Sequence, residues 1–87
     1  MKEYYTVKEI AERLEISVQA TYGRIKQTEK TLKTLNLDFK EIKETLNLDY
    51  KVKKGNKTLY SWYFIEFLKE NDFKETLKTL KQDIKRL

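Results

Sequence analysis

Two helix-start signals lie close together near the N-terminus, and they restrict the fold more than any other feature of the sequence. Thr6 and Glu9 have the spacing of a capping box, in which each side chain bonds the backbone of the other residue. Ser17 can cap a second helix after a short break. Apolar residues follow both signals at helical spacing. The pattern predicts two short helices, over about 7–14 and 18–26, joined by a tight turn.

Composition favours a small helical domain with excess positive charge. The 87 residues include no proline and only two glycines, so long linkers are not expected and helices should predominate. The net charge of +5 is typical of proteins that contact a polyanion, although solvated lysines alone also produce it. We expect a mostly α-helical chain with a small β-hairpin.

Residue types that commonly perform catalysis or hold metals are missing from the sequence. There is no cysteine and no histidine, which removes disulfides, thiolate metal sites and the commonest general base. The two serines, Ser17 and Ser61, both stand where helix caps are expected. We therefore expect no enzymatic activity, no cofactor, no metal and no small-molecule substrate. The sequence has neither a signal peptide nor a membrane-spanning run, so we expect a cytoplasmic, nucleoid-associated protein without membrane contact.

The segment over 51–60 has the pattern of a basic β-hairpin. Gly55 and Asn56 form a two-residue turn between two alternating runs, which places Val52 opposite Leu59. We expect these two apolar residues to face the core. The other face is expected to carry Lys51, Lys53, Thr58 and Tyr60, and the tip to carry Lys54 and Lys57.

The middle of the chain is less definite. Asn36 or Asp38 could cap a third helix over about 39–46, whereas the connection over 28–35 is compatible with either a longer second helix or a loop. The run Thr-Leu-Asn-Leu-Asp begins at position 34 and returns at position 45. Two copies do not make a solenoid, so we interpret them as a coincidence or a duplicated helix-end signal.

The C-terminal third combines an unusually apolar helix with an amphipathic one. The helix from Trp62 to about Glu70 must bury more than one face, and Trp62 is expected in the core. After an Asp72 cap, apolar residues recur at heptad spacing, and we expect this stripe to form a homodimer. The alternative is that the helix folds back on its own domain. The stripe comprises Phe73, Leu77, Leu80, Ile84 and Leu87.

The residues from Thr6 to Lys26 resemble the helix-turn-helix of MerR-like regulators, phage excisionases and some plasmid partition proteins. The resemblance covers about the first third of the chain, and the later order of hairpin and terminal helix is similar in layout. It implies a winged helix-turn-helix over 1–70, with a C-terminal dimerisation helix over 71–87. Two features depart from the family. Glu15 stands where glycine is frequent in the turn, and the segment over 28–48 is longer than a compact unit requires.

The resemblance and the charge pattern together predict a sequence-specific double-stranded DNA-binding protein, either a transcriptional regulator or an excisionase-like or partition accessory factor. The helix over 18–26 would enter the major groove and the hairpin would contact the backbone. Gln19 suits paired bonds to adenine and Val18 suits a thymine methyl group. The candidate DNA-binding residues are Ser17, Val18, Gln19, Tyr22, Arg24, Lys26, Lys53, Lys54 and Lys57.

Other interpretations of these residues stay open at this point. Tyr22 could be a partly buried ring, Arg24 a surface ion pair, and the hairpin lysines a means of solubility and edge protection. The main rival function is a helical protein-interaction adaptor whose basic surface is incidental. RNA binding ranks last, because the sequence has no aromatic-rich sheet motif for base stacking.

Overall fold

The computed structural model describes residues 2–69 and 72–86, which form five helices and a small antiparallel sheet. The expectation of a mostly α-helical chain with a hairpin is confirmed. Among the described residues, no helix combines the length and the apolar character needed to cross a bilayer. In chain order the elements are β1 (Tyr4–Tyr5), α1 (Val7–Leu14), α2 (Val18–Thr34), α3 (Lys40–Leu46), β2 (Lys51–Lys54), β3 (Lys57–Ser61), α4 (Trp62–Lys69) and α5 (Phe73–Lys85).

Both predicted N-terminal helix starts are present. The Thr6 hydroxyl accepts a hydrogen bond from the Glu9 amide at 3.1 Å, and the Glu9 carboxylate accepts one from the Thr6 amide at 2.9 Å. Ser17 Oγ accepts from the Ala20 amide at 3.0 Å. These bonds satisfy amides that the first turn of a helix otherwise leaves without partners, so each start is fixed by local chemistry.

The turn between α1 and α2 uses a left-handed residue that is not glycine. Glu15 has a φ of 57°, and the next amide, that of Ile16, donates to the Ala11 carbonyl at 3.1 Å. This is the bonding of a Schellman motif, which satisfies the last carbonyls of α1. A residue with a Cβ is strained in this conformation, so the structure keeps the turn at a cost in stability.

The repeated Thr-Leu-Asn run is a helix-end signal, as one of the two interpretations held. Asn36 and Asn47 both adopt left-handed φ values, of 57° and 54°. In each copy the leucine after the asparagine donates its amide to a carbonyl five residues earlier. The ambiguous connection after Thr28 is therefore helical, and α2 continues to Thr34, well beyond the predicted end at position 26.

The start of α3 differs from the prediction. Asn36 belongs to the end of α2 and does not cap α3. Phe39 occupies the cap position without a side-chain bond, while Asp38 Oδ1 accepts from the Lys40 amide at 3.1 Å. The aromatic ring of Phe39 is instead used in packing.

The hairpin has the predicted register and turn, but the face assigned to the core was wrong. Val52 lies opposite Leu59, and only the first turn residue, Gly55, has a positive φ, as in a type II′ turn. Val52 and Leu59 are only half-buried and lie outside the core cluster, whereas Tyr60 is buried. The reason is β1, which the sequence analysis did not predict: Tyr5 pairs with Tyr60, and both rings turn inward.

The core is assembled around α4. Five of its eight residues are buried, which confirms that this helix buries more than one face. Trp62 is half-buried and packs against the core cluster, as expected. Ser61 Oγ accepts from the Phe64 amide at 3.3 Å, so the last strand residue also caps the helix. The Phe39 ring lies between 5.1 and 6.1 Å from four aromatic rings, which are those of Tyr50, Tyr63, Phe64 and Phe67.

The apolar stripe of α5 is covered within its own chain. Leu77, Leu80 and Ile84 are buried in the same cluster as α4, and Phe73 packs against that cluster. Leu87 and the predicted boundary at 70/71 lie outside the described residues. The homodimer was inferred from a stripe with no cover, and that premise is wrong because the helix folds back on its own domain.

Replacing Glu15 by asparagine should stabilise the protein. Asparagine tolerates the left-handed region better, so the free energy of unfolding should rise by about 0.5–1 kcal/mol in urea titrations. Glu15→Gly should also stabilise the protein, because glycine has no Cβ to be strained in this conformation, although its entropy in the unfolded chain offsets part of the gain. Glu12→Asn, in the exposed interior of α1, is the control and should be destabilising. Equal effects at the two positions would contradict the turn conformation.

The midpoint of urea unfolding should not depend on protein concentration over about a hundredfold range, because the α5 stripe packs within one chain. Leu80→Ala should lower the free energy of unfolding by about 2–5 kcal/mol, again independently of concentration. A midpoint that rises with concentration and loses this dependence in Leu80→Ala would mean that copies exchange α5.

Candidate nucleic-acid interface

A groove of about 410 Å³ separates the start of α2 from the hairpin. Among the residues that the structure describes, the only charged ones lining it are the two lysines Lys8 and Lys57, and no carboxylate takes part. The groove brings together three of the predicted DNA-binding residues, Val18, Tyr22 and Lys57. The remaining lining residues are Thr6, Val7, Asn56, Thr58 and Tyr60.

The α2 side of the groove exposes apolar surface that packing does not use. Val18 is 42% exposed and Tyr22 is 55% exposed, although α2 buries residues on its other face. Lys26 follows Tyr22 by four residues and therefore continues the same face. Gln19 is exposed beside Val18. Tyr22 is thus not the partly buried ring of the alternative interpretation.

The start of α2 is electrically positive. Ser17 uses its hydroxyl to cap the helix, and the first turn contains no acidic residue, whereas α1 and α5 have Glu9 and Glu75 there. The aligned peptide dipoles of this 17-residue helix place partial positive charge at its N-terminus. No local carboxylate opposes that charge in the first turn, so the end of α2 beside the groove favours an anion.

The hairpin side supplies further positive charge. Lys53, Lys54 and Lys57 are all exposed, and Lys54 pairs with Lys57 in register at the tip. None of the three forms an ion pair with any residue in the described ranges. Their ammonium groups are therefore available to a polyanion, and that of Lys57 lies at the groove together with Val18 and Tyr22.

Glu29 fixes the hairpin base to α2, a role that the sequence analysis missed. Its Oε2 accepts from Tyr50 Oη at 2.7 Å and from Lys51 Nζ at 3.3 Å. Burial, followed by the bond to Glu29, raises the pKa of Tyr50, which keeps the phenol protonated as a donor. These bonds link residues 21 and 22 positions apart. No local pattern in the sequence identifies them.

Arg24 is not part of the groove. Two residues after Tyr22, it lies about 200° further round the helix at 3.6 residues per turn. Its Nη1 donates to the Leu68 carbonyl at 3.4 Å, close to the end of α4. The structure thus gives Arg24 a contact with the core helix rather than a place beside Val18 and Tyr22.

Lys8 was also missed by the sequence analysis. It lies in the first turn of α1 and lines the groove together with Lys57. Its position two residues after the Thr6 cap places it near the start of α1, and this is the one feature of the sequence that could have pointed to it. Only the folded arrangement brings that start next to the hairpin.

Negative charge collects elsewhere. A second cleft, of about 460 Å³, is lined by acidic side chains and by half-buried Trp62, and it contains no basic residue. Its carboxylates belong to Glu66, Asp72, Glu75 and Asp83. Within the described ranges, no group of carboxylates is arranged to hold a metal ion. The acidic cleft and the basic groove are built from different elements.

Comparisons of the chain with protein families, with curated proteins and with solved structures find no match.

The two glycines should respond in opposite directions to alanine. A Cβ at Gly23 meets nothing within 4 Å, so Gly23→Ala should raise the free energy of unfolding by about 1 kcal/mol through helix propensity. Gly55 has a φ of +64°, so Gly55→Ala should lower it by about 1–2 kcal/mol. Urea titrations of both variants measure the difference. Destabilisation by Gly23→Ala would indicate a close contact that the α2 geometry does not contain.

Proposed function

We propose that this chain is a sequence-specific double-stranded DNA-binding protein with a winged helix-turn-helix architecture. The observation that carries the proposal is the groove between the start of α2 and the hairpin, whose charged lining is exclusively lysine. In this arrangement the first turns of α2 enter the major groove, and the hairpin contacts the backbone beside it. The resemblance to MerR-like regulators, excisionases and partition proteins supports a role in transcription control, excision or partition.

The exposed face of α2 supplies the proposed contacts to bases. Gln19 can donate to N7 and accept from N6 of an adenine, and the exposed methyl groups of Val18 can contact the methyl group of a thymine. Ser17 contributes the positive helix end through its cap. Because Gln19 and Val18 are adjacent near the helix start, they fit neighbouring base pairs.

The lysines around this face supply the proposed backbone contacts. Lys26 extends the α2 face, and Tyr22 adds a hydroxyl donor. Lys8 adds a cation from α1. The hairpin contributes Lys53, Lys54 and Lys57. We leave Arg24 out of this set because its guanidinium contacts the Leu68 carbonyl.

The adaptor alternative loses its main surface. It required the α5 stripe to bind another protein, but Leu77, Leu80 and Ile84 are buried in the chain's own core. For the same reason a homodimer through α5 is not part of the proposal.

DNA binding should depend steeply on salt. Five lysines that each neutralise one phosphate give a slope of log affinity against log salt of roughly −4 to −5, at about 0.9 per contact. Selection from random duplexes followed by titration at several salt concentrations measures both the site and the slope. Failure to enrich any duplex, or an affinity that does not change with salt, would reject the proposal.

Paired variants test the assigned roles. Gln19→Ala should lose about 1–3 kcal/mol of discrimination at one base position while affinity for random DNA changes little. Lys26→Ala should weaken binding to all sequences and reduce the salt slope by about 1, as should Lys57→Ala. Arg24→Ala is the matched control, and it should leave the slope unchanged. Equal effects of Arg24→Ala and Lys26→Ala would contradict the proposed orientation of α2.

A further inference from the structure

The segment that a compact helix-turn-helix and hairpin do not require builds a cleft of its own. The cleft has a volume of about 580 Å³, and most of its lining residues fall between positions 29 and 43. They come from the second half of α2, the connection to α3 and the start of α3. Small-molecule sites in proteins typically measure about 300–1,000 Å³, so the cleft is large enough for an organic ligand.

The floor of the cleft is an aromatic platform. The rings of Phe39 and Tyr50 are half-buried, with centroids 5.1 Å apart, and Tyr50 lies 5.0 Å from the buried ring of Phe64. Leu32 adds aliphatic surface. The two rings are inclined at 44° to each other. Because the core lies behind them, their exposed surface stays in place when an apolar ring packs against either one.

The polar groups of this floor already have partners. Tyr50 Oη donates to Glu29 at 2.7 Å, and Tyr63 Oη donates to the Leu48 carbonyl at 2.7 Å. The hydroxyl donors of both tyrosines are thus engaged. The platform therefore presents ring surface to a ligand, and recognition of charge falls to the rim.

The rim leaves two lysines without a carboxylate partner. Glu29 pairs with Lys51, and Asp49 pairs with Lys43 at 2.9 Å. Asp38 accepts from the Lys40 backbone amide. In the described part of the chain, neither Lys33 nor Lys40 forms an ion pair, and both are exposed at the cleft.

We propose that this cleft binds a small aromatic anion, whose ring packs against the inclined rings of Phe39 and Tyr50 and whose acidic group pairs with Lys33 and Lys40. An aromatic ring suits this ring-lined floor, and a carboxylate or sulfonate matches the two ammonium groups. This site is separate from the proposed DNA interface, and its test uses no DNA.

Three naphthalene probes of similar shape distinguish the contribution of the ring to binding from the contribution of the charge. Titration of the full chain with 2-naphthoate, 2-naphthalenemethanol and 2-naphthylmethylammonium, followed by amide NMR shifts, measures affinity and location together. We expect 2-naphthoate to bind about tenfold more tightly than the ammonium probe, with the neutral alcohol between them. The shifted amides should lie around positions 32–40 and 50.

Surface variants test the two lysines. Lys33→Glu combined with Lys40→Glu should remove the preference for 2-naphthoate and reverse it towards the ammonium probe. Lys74→Glu combined with Lys78→Glu changes charge equally at exposed positions of α5 outside the cleft, and it should leave the preference intact. Lys33→Gln with Lys40→Gln gives a milder form of the same test, and unfolding curves establish that each variant is folded.

Several results would overturn the proposal. Equal affinity for all three probes would mean that the rim does not select charge. A preference for the ammonium probe in the unaltered protein would mean that the carboxylates dominate the rim. Shifts confined to residues outside the cleft, or no binding by any probe, would remove the site altogether.

Discussion

The all-round burial of α4 is the constraint on which the other elements depend. An eight-residue helix with buried residues on several faces is stable in so short a chain only if other elements surround it. The inward rings of Tyr5 and Tyr60, the ring of Phe39 and the stripe of α5 all serve this purpose. The basic groove is accordingly formed by elements other than α4, namely α1, α2 and the hairpin.

A single carboxylate connects α2 with the hairpin. Glu29 holds the hairpin base through Tyr50 and Lys51, and it also lines the cleft beside Phe39. The basic groove and the aromatic cleft therefore share one helix, α2, with the groove at its start and the cleft along its second half. Because α2 is continuous over Val18–Thr34, it fixes the spacing between its groove end and its cleft end.

Local signals were sufficient to predict the starts of α1, α2, α4 and α5 and the hairpin register, but not the start of α3. The Thr6 cap and the turn at Gly55 depend on residues within a few positions, so their bonding can be inferred from spacing alone. The inward face of the hairpin could not be inferred, because it is decided by pairing with Tyr5, more than fifty residues earlier. The α5 stripe was ambiguous for a different reason. Heptad spacing shows that an apolar helix face must be buried, but it does not show whether the same chain or a second copy buries it. The groove lies between two features that the sequence predicted, the start of α2 at Val18 and the hairpin. The cleft could not be predicted in this way, because it is formed by contacts between segments that are separate in the sequence.

No residue separates β3 from α4, so the hairpin is joined directly to the central helix of the core. The strand ends at Ser61 and the helix begins at Trp62, so the serine belongs to the sheet and caps the helix at once. We therefore expect a tilt of the hairpin tip to move the start of α4, in which five of eight residues are buried, because no loop lies between them. Any partner that holds the tip should therefore slow amide hydrogen exchange in α4, far from the surface that it touches.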